Sequence, residues 1–117
     1  MVPNPKHFFE NWPSNSNAAK ARNPEIPKAF GAFFGSLMKE GALSVREKEL
    51  VALGIGLAAR CEPCIYLHVQ KCLEAGATPE QIMEAAGVAV MMGGGPMFTY
   101  VPAVAAALDQ LTGAKAH

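Results

Sequence analysis

From Pro24 onward the apolar residues recur at intervals of three and four, and no run of period-two alternation competes with them. Ala29, Phe30, Phe33, Phe34 and Leu37 form one stripe, which predicts a first helix from about Glu25 to Lys39, stopped before Gly41. Ser44 opens a second helix, and Glu47 three residues later completes a capping box. This helix carries Leu50, Val51, Leu53, Ile55 and Leu57, with Gly54 and Gly56 expected to allow close packing. A third helix begins at Cys61-Glu62-Pro63-Cys64 and ends at Gly76; Pro63 is tolerated there because first-turn amides have no intrahelical partner. Thr78-Pro79-Glu80-Gln81 opens a fourth, with a threonine cap, proline at the first position and a box-forming glutamine. It ends in Gly93-Gly94-Gly95. Pro96 starts a fifth, which Pro102 is expected to kink and Gly113 to end. Residues 1–23, rich in Pro, Asn and Ser, read as an irregular arm with Phe8, Phe9 and Trp12 as anchors onto the body or a neighbouring subunit. The pattern predicts an all-α bundle with short connections and antiparallel neighbours, its helical domain covering residues 24–117.

The 117 residues suffice for one domain and one core. Half of them are apolar and 17% are charged, against a usual quarter or so. So little charge leaves too little polar surface for a compact monomer, and predicts apolar helix faces buried between subunits in a homo-oligomer. Ten basic residues balance ten acidic ones, so charge offers no case for a nucleic acid or an anionic membrane as partner. The N-terminus lacks the apolar core of a signal peptide, and the longest apolar runs fall short of a bilayer span. Three cysteines, two of them in a CxxC, do not make a secreted disulfide framework; a catalytic or metal-bound pair in a reducing cytoplasm fits better.

The chemistry concentrates in Cys61-Glu62-Pro63-Cys64-Ile65-Tyr66-Leu67-His68. At a helix start the two thiols lie about one turn apart, close enough to form a disulfide, and the unpaired amides there favour thiolate over thiol. His68, four residues after Cys64, shares its face and can act as a base. A pair of inert buried cysteines would explain neither the spacing nor the helix-start position. Cys61, Cys64, His68 and Cys72 also mimic a set of four zinc ligands. One continuous helix, however, spreads them over roughly 16 Å of rise, too far to converge on one ion, so Cys72 reads as a core residue.

Glu49 has Val45, Ala52 and Leu53 at helical contact offsets. A carboxylate in such a stripe is costly unless paired, and once buried it suits proton transfer; an exposed pair with Arg46 is the competing reading. His7 and His117, near the termini, have no comparable context. Met91-Met92-Gly93-Gly94-Gly95-Pro96 lacks the Gly-Lys-Ser/Thr ending of a phosphate loop, so no nucleotide cofactor is expected; it reads as a helix corner with methionines as core filler. Tyr66, Phe98 and Tyr100 are candidates to line a pocket beside Cys64.

Glu49, twelve residues before Cys61, followed by Cys61-x-x-Cys64-x-x-x-His68, resembles the carboxymuconolactone decarboxylase family, and within it the alkylhydroperoxidase D-like (AhpD-like) branch. The likeness runs from about Pro24 to Tyr100 and includes Leu43-Ser44, Glu49-Leu50-Val51-Ala52-Leu53 and Ala75-Gly76-Ala77-Thr78. It implies an all-helical fold assembled into trimers or hexamers. It further implies an antioxidant, peroxiredoxin-like dithiol enzyme without a cofactor. By that resemblance Cys64 attacks a hydroperoxide or disulfide, Cys61 resolves the product, His68 and Glu49 relay the proton, and an external dithiol restores the thiols. Some alkylhydroperoxidases carry a histidine where this chain has Pro63, which implies a simpler relay. Two rival readings are a lactone decarboxylase, whose founding members do not depend on a CxxC, and a metal-binding or redox-sensing module.

Overall fold

Capping chemistry sets most of the element boundaries in the computed structural model, which describes residues 2–113. In chain order the helices are α1 (Pro5–Arg22), α2 (Glu25–Leu37), α3 (Val45–Ala58), α4 (Glu62–Glu74), α5 (Pro79–Gly93), the short α6 (Gly95–Phe98) and α7 (Val101–Thr112). The expected boxes at Ser44/Glu47 and Thr78/Gln81 are both closed, with each hydroxyl accepting from the third amide and each carboxyl or carboxamide reaching back to the cap. His117 and the end of the expected helical domain, residues 114–117, lie outside the described residues.

Residues 2–23 are not the irregular arm expected: residues 5–22 form a helix. Asn4 caps α1 by accepting from the His7 amide at 3.1 Å, and Pro5 occupies the first turn. Pro13 sits inside the helix, where Asn11 donates to the His7 carbonyl and Ser16 to the Pro13 carbonyl. Poor intrinsic propensity is overridden by docking: Phe8 and Phe9 pack against the core, with the Phe8 ring 5.4 Å from that of Tyr66.

The core lies among α3, α4, α5 and α7. Leu53, Leu57, Ile65, Val69, Ile82 and Val104 are all fully buried, and α3 packs on both α4 and α5 while α7 packs on α4. Each such side chain contributes about 1.5–3 kcal/mol of burial. The expected kinked fifth helix is two helices, α6 and α7. A proline ring at position 102 clashes with the carbonyl four residues earlier, so the helix stops at Phe98 and restarts with Pro102 in the first turn of α7. Met91 and Met92 are not core filler, at 72% and 76% exposed, although Gly93 does make the expected tight corner against Met97. Gly54 faces open space rather than a neighbour.

Helix α2 stands apart. None of its residues is buried, and Ile26, Phe30, Phe33 and Leu37 present their apolar stripe outward. A helix of 13 residues is marginal alone in water. It is tethered at its C-terminal end by Lys48, whose Nζ donates to the carbonyls of Leu37 and Lys39 at 2.8 and 2.7 Å. The radius of gyration, 14.5 Å, exceeds the ~13 Å of a compact chain this long, as a projecting helix requires.

Candidate active site

The turn from α3 to α4 is built to bring the CxxC against α3. Arg60 takes a left-handed φ of 53°, and the Cys61 amide donates to the Gly56 carbonyl at 3.0 Å. A Cβ on Gly56 would lie 3.3 Å from the Cys64 Cβ, so glycine is what permits this approach. Cys61 is the N-cap of α4, and its Sγ accepts from the Cys64 amide at 3.2 Å. The two cysteines are joined as a disulfide across a Cα separation of 5.2 Å. A sulfur that accepts an amide hydrogen at a helix start is stabilised as thiolate once the bond is reduced.

Behind the thiols lies a carboxylate–imidazole pair, the carboxylate buried and the imidazole partly so. Glu49 on α3 is 3% exposed, and its Oε1 sits 2.6 Å from Nδ1 of His68 on α4. The alternative partner Arg46 is exposed, and the carboxylate pairs with His68 instead. A carboxylate taken this far from water is tolerated because the imidazole satisfies it. Holding Nδ1 as the donor leaves Nε2 as the nitrogen that can take up and return a proton. Phe34 of α2 covers the imidazole with ring centroids 6.4 Å apart, and the Lys71 Nζ lies over the Phe34 ring, 5.2 Å from its centroid. The otherwise exposed α2 thus roofs the histidine.

Cys72, one turn beyond His68, is fully buried, and burial, with a smaller push from the Glu49 charge, raises its thiol to about 12. It stays protonated and outside the disulfide. Among the described residues no group of three or more His, Cys, Asp and Glu is placed to hold a metal ion. His7 lies on α1 beside Asn11. Phe98 is exposed on α6.

Tyr66 donates to Glu62 at 2.5 Å and accepts from the Asn4 amide at 3.0 Å, so the residue between the cysteines is wired to the start of α1. Burial, then the bond to Glu62, pushes the Tyr66 phenol up to about 12, which keeps it a neutral donor. The signal was present as an acid and a tyrosine four residues apart on one helix.

This helical scaffold, with its paired thiols backed by a carboxylate–imidazole pair, can be set beside known proteins. The profile of the carboxymuconolactone decarboxylase family matches residues 24–110. The chain belongs to the carboxymuconolactone decarboxylase family. It is 38% identical over 89 residues to uncharacterized protein 4 of the cox locus of Paracoccus denitrificans, covering 76% of this chain and 80% of that one. The fold is similar to that of a carboxymuconolactone decarboxylase family protein from Legionella pneumophila (TM-score 0.86, 30% identity, 92% of this chain and 96% of that one). A Thermotoga maritima protein matches with a TM-score of 0.81 at 28% identity, over 92% of this chain and 95% of its own. Family membership and the Cys61–Cys64 pair at bonding distance fit a redox role of the AhpD-like kind.

Proposed function

We propose that this family member is a thiol–disulfide oxidoreductase of the peroxidase type. The observation that carries the reading is the hydrogen bond of 2.6 Å between the buried Glu49 and His68, one helical turn beyond a Cys61–Cys64 disulfide. In the reduced protein His68 takes the proton of Cys64, and Glu49 stabilises the imidazolium that results. The Cys64 thiolate attacks the terminal oxygen of a hydroperoxide, the O–O bond breaks, and the alcohol leaves with a proton returned by His68. The sulfenic acid on Cys64 then condenses with the Cys61 thiol, releasing water and closing the disulfide seen here. An external dithiol reduces that bond and resets the cycle. An antioxidative role has been suggested for the Thermotoga maritima relative.

A thiol pair that must be re-reduced at each turnover suits the cytoplasm. Among the described residues no helix is long and apolar enough to cross a membrane. The working form in this reading is a homo-oligomer, because the outward stripe of α2 and the apolar groove of about 440 Å³ between α3 and α5 both lack a partner among the described residues.

The test is steady-state consumption of an organic hydroperoxide with a synthetic dithiol as reductant. Wild type turns over and Cys64→Ser does not; undiminished turnover by Cys64→Ser removes the proposal.

A further inference from the structure

A cleft of about 280 Å³ lies between α1 and the first turn of α4, and two of its walls are Glu62 and Pro63, the residues between the cysteines. Its opposite side is aromatic: Phe8 and Trp12 are stacked at 5.5 Å, and Tyr66 closes the floor beside Phe8. Among the described residues no lysine or arginine lines it, and Glu62 is its acidic group. Tyr66 donates to Oε1 of that carboxylate, while among the described residues Oε2 takes part in no side-chain hydrogen bond or ion pair. His7 and Asn15 add further hydrogen-bonding groups to the lining. A carboxylate facing aromatic rings without a competing lysine or arginine is an arrangement that recognises organic ammonium groups, through charge and through the ring faces.

We infer that this cleft selects the disulfide or thiol partner of Cys61–Cys64 by a positively charged amine carried a few atoms from the sulfur. The inference rests on the oxidoreductase reading and adds a substrate class to it. With the amine in the cleft, the substrate sulfurs lie over the turn that holds the thiols. The Cys64 thiolate attacks one sulfur of an amino disulfide, whose S–S bond breaks to release the first aminothiol. Cys61 then attacks the Cys64 sulfur of the mixed disulfide, releasing the second aminothiol and forming the Cys61–Cys64 bond. Two electrons pass from the protein to the substrate, and the two thiol protons leave with the two aminothiols. Run in reverse, the same steps let an aminothiol reduce the protein.

Trp12 is the single tryptophan of the chain, so its fluorescence reports on the cleft directly. Oxidised protein, which cannot exchange, is titrated at pH 8 with cystamine, with the neutral 2-hydroxyethyl disulfide and with anionic dithiodiglycolate. The expected result is a saturable Trp12 response to cystamine at concentrations at least about fivefold below those needed for the other two, a preference that Glu62→Gln removes. Equal responses to all three, no response to any, or a preference that survives Glu62→Gln overturns the inference. Reduced protein is then given the same disulfides, and kcat/KM is expected to follow the same order. Cystamine binding without any thiol exchange contradicts the oxidoreductase reading and leaves the amine site standing.

Discussion

Glu49 and His68 are separated by 19 positions in sequence and joined by one short hydrogen bond in the fold. Glu49→Gln keeps an acceptor for Nδ1 but removes the charge that stabilises the imidazolium. Stability is therefore expected to change by less than about 1 kcal/mol while the peroxide rate falls about 100-fold. Removing the imidazole instead strands the carboxylate: His68→Leu is expected to cost about 3 kcal/mol in urea unfolding at pH 7. Cys72 makes a contrasting prediction. Its thiol, buried and raised to about 12, stays protonated throughout the working pH range, so iodoacetamide at pH 8 should label two cysteines in the reduced native protein and three only after unfolding. At this scale the sequence was informative where chemistry depends on local spacing, as in Cys61, Cys64 and His68. It left Glu49 evenly poised between Arg46 and burial, because the deciding partner comes from another helix.

Among the elements, the connection between α3 and α4 is the most demanding. Gly56 gives up its side chain so that Cys64 can approach, and its carbonyl holds the Cys61 amide. Gly56→Ala forces a shift of a few tenths of an ångström at Cys64 and is expected to cost about 1–3 kcal/mol in urea titration, with slower disulfide closure measured in the same variant. The boundaries of α3 and α5 were legible because capping boxes are local devices. Helix α1 was not. Its Pro, Asn and Ser content argues against a helix, and only docking of Phe8 and Phe9 onto the body tips the balance. The break between α6 and α7 was half legible: Pro102 announced a disturbance, but a kink and a fresh helix start place the same ring in similar surroundings.

Taken whole, the molecule exposes more apolar helix than a monomer needs. Ile26, Phe33 and Ile55 are each more than 60% exposed, with α2 contributing nothing buried to its own core. The low charge content already pointed this way; which helix is left uncovered depends on packing and could not be read from composition. Light scattering is expected to give a mass several times the 12.4 kDa of the chain. Phe30→Asp with Phe33→Asp should reduce it to that value, since two charges in the stripe cannot be buried against another copy. A wild-type mass of one chain would contradict the assembly.

In the proposed cycle Cys64 is the peroxide-reactive thiol and Cys61 its resolving partner. The most direct measurement is a rapid-quench thiol count on reduced wild type, Cys61→Ser and Cys64→Ser, before and after one equivalent of organic hydroperoxide. Fast loss of two thiols is expected in wild type, with a trappable sulfenic acid in Cys61→Ser and no fast loss in Cys64→Ser. A sulfenic acid that accumulates instead in Cys64→Ser, or no fast loss in any form, would contradict that cycle.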